Sequence, residues 1–389
     1  MKFRSLALLM LAEVAAMSLW FIAAAVMPDM LRDVSLSPLR QAAMTSGVQA
    51  GFVLGALASA GLGLADRFDP RRIFAVSAVA AGLINALLLV VTPGSLTAIG
   101  LRVLTGALVA GVYPIGMKIA VGWGLKDRGF LVGALVGAVI LGSASPHAIA
   151  LAGGADWHLS LALASLAAVA GGLLALTVRL GPYHGLAAQF DVRAIAVAWT
   201  NRRVRLAYAG YLGHMFELYV MWVWIAAASA LSYAHALSPP AAENLSKLTG
   251  FLAIGIGGVT SAIAGRFADR IGKAEIAIVA MAMSGCCALA AGATFGGPVW
   301  LTFAIVILWG AAISPDSAQF SALVADHAPQ ELAGSLLTLQ TALGFALTIA
   351  TVQLTPLAVA AIGWPAVLAS LALGPAFGIA AMLRLRSMG

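Results

Sequence analysis

Gly61-Leu62-Gly63-Leu64-Ala65-Asp66-Arg67-Phe68-Asp69-Pro70-Arg71-Arg72 places five charges between two hydrophobic runs that are too long for an ordinary soluble core. The pattern returns as Gly265-Arg266-Phe267-Ala268-Asp269-Arg270-Ile271-Gly272-Lys273: an apolar segment, then Ala-Asp-Arg, an apolar residue, a turn residue and a further basic residue. The chain therefore reads as two related halves. In each copy the Asp, Asp66 or Asp269, is expected just beyond a helix C-terminus. The macrodipole does not favour an anion there unless a cation or another helix N-terminus compensates it, so each carboxylate calls for a partner.

Composition sets the environment. Of the 389 residues, 62% are hydrophobic and only 10% charged, against about 25% charged in soluble domains. Segments of about 20 apolar residues can each cross a bilayer core. Twelve such helical spans can be drawn, at 5–27, 41–64, 73–92, 96–122, 130–152, 159–179, 205–231, 246–264, 274–292, 299–325, 335–358 and 364–383. The fold class expected is an all-α membrane protein of twelve transmembrane helices in two six-helix, pseudo-symmetric bundles. The domains would be 1–180, a cytoplasmic linker at 181–204, and 205–389. Residues 187–199 of the linker suit either a short helix on the membrane face, anchored by Arg193 and Trp199, or a flexible connection.

The net charge of +7 does not point to nucleic acid, because the basic residues form no arm or aromatic-interleaved patch. Apart from Arg102 and Lys118, every Lys and Arg except Arg32, Arg40 and Lys247 falls on the side of the termini. The positive-inside rule then makes both termini cytoplasmic, in a multi-pass protein of the cytoplasmic (inner) membrane. Cys286 and Cys287 are adjacent in an apolar run, which excludes a disulfide framework and a CxxC metal site. Residues 1–27 read as the first span and not a cleaved leader, since the apolar run continues to Met27 and carries Glu13. No GxxxxGK[ST] is present to cradle a nucleotide, no metal or cofactor is expected, and no enzymatic pattern completes itself.

The duplicated stretch resembles the signature of the major facilitator superfamily, Gly-x-x-x-Asp-Arg-x-Gly-Arg-Arg or Lys. The second copy matches at Gly265, Asp269, Arg270, Gly272 and Lys273; the first keeps Asp66, Arg67, Arg71 and Arg72 but has Leu62 for the first Gly and Asp69-Pro70 at the turn. Arg102-Val103-Leu104-Thr105-Gly106 is similar to the family's Arg-x-x-x-Gly element in span four. Span five, rich in Gly through Pro146, resembles the antiporter motif without its Gly-Pro pair or spacing. The resemblance covers essentially the whole chain. It implies two bundles rocking about a site near the bilayer midplane, lined by spans one, four, seven and ten. It also makes Asp66, Arg67, Arg71, Arg72, Asp269 and Arg270 a cytoplasmic gate.

Ionisable groups within spans normally face a cavity or a partner. Here they are Glu13, Arg102, Lys118, His147, His214, Glu217 and Asp316. Glu217 lies about 18 Å along span seven from Arg205 at ~1.5 Å per residue, near mid-membrane. Tyr211, His214 and Glu217 recur every three residues on one broad face, and a carboxylate beside a histidine can exchange protons near neutral pH. The same trio equally suits a structural His–Glu hydrogen bond. Asp316 follows Pro315, which bends span ten; Trp309, seven residues earlier, shares its face, and Gln319 adds a polar contact. Glu13 is expected to pair with Lys118 or another cation. Arg102 and Tyr113 share a face of span four, with Lys118 nearly opposite and able to snorkel. His147, after Pro146, suits a proton relay or helix packing.

These readings point to a secondary transporter moving a small solute by alternating access, coupled to protons through Glu217 and Asp316, acting as a monomer. Its partners would be the small-molecule substrate, protons and the lipid bilayer. An anion porter of the nitrate or organic-acid kind, with Arg102 as binding cation, is the alternative. A non-transporting receptor or a lipid scramblase is the reading from another class.

Overall fold

The computed structural model describes residues 1–389 except 63–66, 125–127, 155, 184–190 and 389, and excludes the side chains of 60–62, 128, 129 and 269. The described residues form helices and no strands. Eleven helical stretches among them are long and apolar enough to cross a membrane. The last, Gln330–Arg386, is 57 residues long; at ~1.5 Å per residue that is about 86 Å, far more than one crossing of a ~30 Å core. Gly363 divides it: its φ of 77° is outside the helical range, and spans eleven and twelve lie on either side. Twelve spans result.

The chain forms two compact units, 1–187 and 188–389. In the first, span one consists of helices Lys2–Met17 and Ile22–Asp33, span two is Pro38–Leu62, and span three is Pro70–Ala86. Span four consists of Leu96–Val109 and Tyr113–Val121, followed by span five, Arg128–Ala152, and span six, Trp157–Ala175. In the second, a short helix Arg193–Thr200 precedes span seven, Arg202–Tyr233. Spans eight and nine are Pro239–Ile271 and Lys273–Ala293. Span ten consists of Val299–Ile313 and Ser317–His327. Helices Ala333–Ser370, broken at Gly363, and Leu373–Arg386 complete the unit.

Local chemistry starts these helices where they start. Asp69, Ser95, Asp156 and Asn201 each accept a backbone N–H in the first turn of the helix that follows, satisfying donors that have no intrahelical partner. Pro70 and Pro239 open their helices, where a missing N–H costs nothing. Each unit has its own core. Leu6, Leu9, Phe74, Ile115, Ile119 and Leu135 meet in the first, and Tyr208, Met281, Phe320, Val324, Leu336 and Met382 in the second. Large side chains such as Val90, Leu96, Leu166 and Val259 are exposed on the outside, as suits a surface solvated by lipid.

Backbones approach closely between spans two and four and between spans eight and ten, as they do between seven and twelve. A Cβ at Gly106 would collide with the Val48 carbonyl, and one at Gly310 with the Ala253 carbonyl. Only glycine permits these contacts, which replace the missing hydrophobic drive between helices in lipid.

The gate stretches depart from expectation. Asp66 lies outside the described residues. Asp269 does not sit beyond its helix: Pro239–Ile271 carries it in the last turn and ends at Gly272, whose φ of 116° few other residues adopt. Asp269's side chain is outside the description, while Arg67, Arg72 and Arg270 are exposed. Arg71 bridges to Asp69 at 2.6 Å and reaches the Val178 carbonyl at 3.4 Å, tying the start of span three to the segment after span six. That guanidinium holds the Asp69 carboxyl below its ordinary range.

Candidate functional site

In the second unit the polar residues of spans seven and ten converge. Span ten breaks at Ser314-Pro315-Asp316, because Pro315 cannot continue the backbone ladder. The break leaves Asp316 at the head of Ser317–His327, and its side chain is 2% exposed. His214 Nδ1 lies 2.9 Å from Asp316 Oδ1, close but not aligned as a hydrogen bond. His214 Nε2 meets Ser317 Oγ at 2.6 Å. The imidazole therefore sits between a carboxylate and a hydroxyl, its Nε2 accepting from or donating to Ser317 according to the tautomer. Tyr211 and Phe320 flank the ring, with centroids 6.2 and 5.9 Å away.

Glu217, one turn further along span seven, is also buried. Its Oε1 accepts the indole N–H of Trp309 at 2.7 Å, and the Ser284 hydroxyl of span nine reaches both oxygens at 2.5 Å. Glu217 thus has two hydrogen-bond donors, one from span ten and one from span nine. Asp316 is near enough to act on Glu217 electrostatically. Glu217, Asp316 and His214 thus form one buried cluster of ionisable side chains.

Trp309 does share this neighbourhood, but it bonds Glu217 and not Asp316. The break at Pro315 removes the continuous helix on which the shared face rested. Gln319 turns back on its own helix, its Nε2 donating to the Pro315 carbonyl at 3.5 Å, so it offers the cluster less than expected. Ser284 and Ser317 were missed, since buried serines in apolar helices carry no distinctive signal.

The first unit separates its candidates. Arg102 is fully buried. Nε donates to the Met44 carbonyl at 3.1 Å, Nη1 to Asn85 Oδ1 at 2.8 Å, and Nη2 to the carbonyls of Leu19 and Trp20 at 3.1 and 3.2 Å. The last two are freed by an interruption in span one between Met17 and Ile22, and a helix end buried without partners would be costly. Asn85 passes the link on to Ser165 at 2.9 Å, and Ser165 to the Leu161 carbonyl. Arg102 therefore holds spans one, two, three and six around span four. It makes four hydrogen bonds to protein groups. Asn85, unremarked in sequence, was the polar residue in span three that marked its partner.

Arg102 and Tyr113 lie on different helices of span four, which is interrupted between Val109 and Tyr113. Glu13 faces Gly116, where a Cβ would strike its Oε2, with Phe74 of span three alongside. Both its oxygens lack a hydrogen-bond partner among the described residues. Lys118 is half-buried on the lower helix of span four. His147 is fully buried in span five. No group of three or more His, Cys, Asp or Glu among the described residues could hold a metal ion.

Two bundles of membrane-crossing helices, each with charged groups buried in its interior, define a membrane transport protein. The major facilitator superfamily profile matches residues 9–350, and the chain belongs to that family. It is a multi-pass membrane transporter and not an enzyme. No curated protein matches the chain. Among solved structures it is similar to a variant of the nucleoside transporter NupG, with TM-score 0.73, 13% identity and 100% of both chains covered. It is likewise similar to the xylose transporter XylE from E. coli in a partially occluded inward-open conformation, with TM-score 0.72, 16% identity and coverage of 99% of this chain and 97% of that one. A D-xylose–proton symporter gives TM-score 0.73 at 15% identity, covering 99% and 97%. At these identities the likeness is one of fold.

Proposed function

We propose that the chain is a secondary active transporter of the cytoplasmic membrane, moving a small solute by alternating access and coupled to protons through Glu217, His214 and Asp316. The observation that carries this reading is the placement of His214 2.9 Å from Asp316 on the broken span ten, beside the buried Glu217. Titratable groups are costly inside a membrane unless they serve a pathway, and histidine changes charge near neutral pH. Protonation of the group would remove net negative charge from the site and so weaken its hold on the pieces of span ten.

In this reading the bundles 1–180 and 205–389, joined by 181–204 and with both termini cytoplasmic, rock as units and act as a monomer. Asp66, Arg67, Arg71, Arg72, Asp269 and Arg270 form the cytoplasmic gate. Asp66→Asn is expected to raise cysteine accessibility on that side, and unchanged accessibility would remove the gate from the account. The reading applies equally to uptake and efflux.

Neutral or cationic solutes fit better than anions, because Arg102 is already held by four protein acceptors. The transporters of similar fold act on nucleosides and xylose, so nucleosides and sugars are the first solutes to test. A thermal-shift screen of sugars, nucleosides, organic acids and organic cations, followed by liposome counterflow of each hit, tests the reading. A hit that undergoes counterflow supports it. Absence of counterflow for every hit overturns it.

A further inference from the structure

The short helix Arg193–Thr200 turns small side chains inward and large ones outward. Ala194 and Ala198 are buried in the cluster that also holds Val204, Tyr208 and Leu336. On the outer side Val192, Ile195 and Trp199 are 70%, 47% and 61% exposed. Their spacing of three and four residues sets them in one strip. A helix that packs only on its own protein turns its large apolar side chains toward the core. This one does the reverse, so its strip suits a second apolar phase.

The helix is fixed where it lies. The Asp191 N–H donates to Ser335 Oγ at 2.8 Å, Asn201 Nδ2 to the His327 carbonyl at 3.0 Å, and Arg205 Nη1 to the Trp199 carbonyl at 2.7 Å. The strip is therefore held beside the first turn of span seven, which starts at Arg202. Span seven has 32 residues, about 48 Å at ~1.5 Å per residue, against a hydrocarbon core of about 30 Å. Its first turn thus reaches headgroup level, the depth at which tryptophan is enriched.

Charge narrows the choice of lipid. Arg202, Arg203 and Arg205 at the start of span seven, and Arg384 and Arg386 at the end of span twelve, are all exposed. The two ends meet, since Arg203 Nη2 donates to the Met388 carbonyl at 2.6 Å. No acidic residue lies between Arg202 and Phe216, or from Leu373 onward. The carboxylates nearby are engaged: Asp191 bridges Arg193, Asp326 bridges Lys273, and Glu331 acts on Arg193. Arg202, Arg384 and Arg386 form no ion pair among the described residues. An apolar strip bordered by unmatched arginines at headgroup depth is complementary to lipid of negative charge.

We propose that Val192, Ile195 and Trp199 dock into the leaflet on the side of the termini, where Arg202, Arg384 and Arg386 hold the phosphates of anionic phospholipid. Arg193, the anchor expected from sequence, is already matched by Asp191 and takes no part. The proposal requires that the chain cross a membrane; it rests on neither the proton coupling nor the solute proposed above.

Electron paramagnetic resonance of the full-length protein in nanodiscs tests it, with a spin label at Ile195→Cys in a background of Cys286→Ala and Cys287→Ala. Phosphatidylcholine alone is compared with phosphatidylcholine mixed with phosphatidylglycerol. In the mixture the label is expected to become less mobile, and more accessible to oxygen than to a water-soluble nickel complex. Arg202→Gln, Arg384→Gln and Arg386→Gln should each lower the ratio of docked to undocked label about fivefold. High salt should weaken docking of the protein with all its arginines. A label docked equally in both compositions, or docking indifferent to salt, overturns the proposal. So does a label open to the nickel complex in both, which would leave the strip to water or a soluble partner. The lipid and salt comparisons need no arginine variant, so they decide the matter even where a variant fails to fold. No transport is measured, and failure here is distinct from failure of the transport reading.

Discussion

The indole N–H of Trp309, on span ten, donates to Glu217 Oε1, on span seven, at 2.7 Å, and both residues are buried. This bond crosses from the helix that carries the carboxylate to the helix that Pro315 breaks, so the state of Glu217 and the geometry of span ten are physically joined. A hydrogen bond to a charged acceptor contributes about 1.5–3 kcal/mol. Trp309→Phe is expected to lower stability by roughly that amount, read as a fall in thermal midpoint in detergent. In the Glu217→Gln background the loss should shrink, since the acceptor is then neutral; equal losses in both backgrounds would show that packing, and not the bond, is what Trp309 supplies.

Arg102 should behave as a structural residue. Removing one side of a buried charged network costs about 3–5 kcal/mol, so Arg102→Met is expected to reduce the fraction of monodisperse protein after extraction. Arg102→Lys should not restore it, because an ammonium cannot span the carbonyls of Leu19, Trp20 and Met44 together with Asn85 as the planar guanidinium does. Full stability of Arg102→Lys, measured by size-exclusion profile against temperature, would return Arg102 to the list of binding candidates.

The close contact of spans eight and ten predicts an asymmetry between glycines. Gly310→Ala places a methyl group against the Ala253 carbonyl and should cost about 1–3 kcal/mol. Gly100→Ala, in the helix Leu96–Val109, meets nothing within 4 Å and should be neutral or slightly stabilising. Thermal midpoints of the two variants against the wild type check this.

Asp191 precedes the helix Arg193–Thr200, accepting the Arg193 N–H at 2.9 Å and bridging its guanidinium at 2.6 Å. These bonds hold its carboxyl below the ordinary value of 3.8. A depressed folded value means the stabilisation is present in full above that ordinary value and disappears as pH falls through the lower one. A spin label at Ile195 should therefore report an ordered helix at neutral and mildly acid pH, with mobility rising only in stronger acid. In Asp191→Asn the pH dependence should vanish.

The spans and their duplication were legible because a bilayer demands long apolar runs and because the charged turn between spans two and three recurs between eight and nine. The cluster was partly legible, since His214, Glu217, Trp309 and Asp316 stand out in apolar helices and Pro315 announces the break beside them. Arg102's role was hidden: three of its four acceptors are backbone carbonyls, which leave no trace in side-chain identity. Two of those carbonyls exist only because span one is interrupted at residues 18–21, where neither Pro nor Gly marks the place.

The central claim is that Glu217 carries the coupled proton. Proteoliposomes loaded for counterflow and, separately, for accumulation driven by a pH gradient separate exchange from coupling, using whichever sugar or nucleoside the thermal-shift screen identifies. Glu217→Gln should retain counterflow of that solute while losing pH-driven accumulation. Accumulation that persists undiminished in Glu217→Gln, or wild-type accumulation that ignores the pH gradient, would contradict the account.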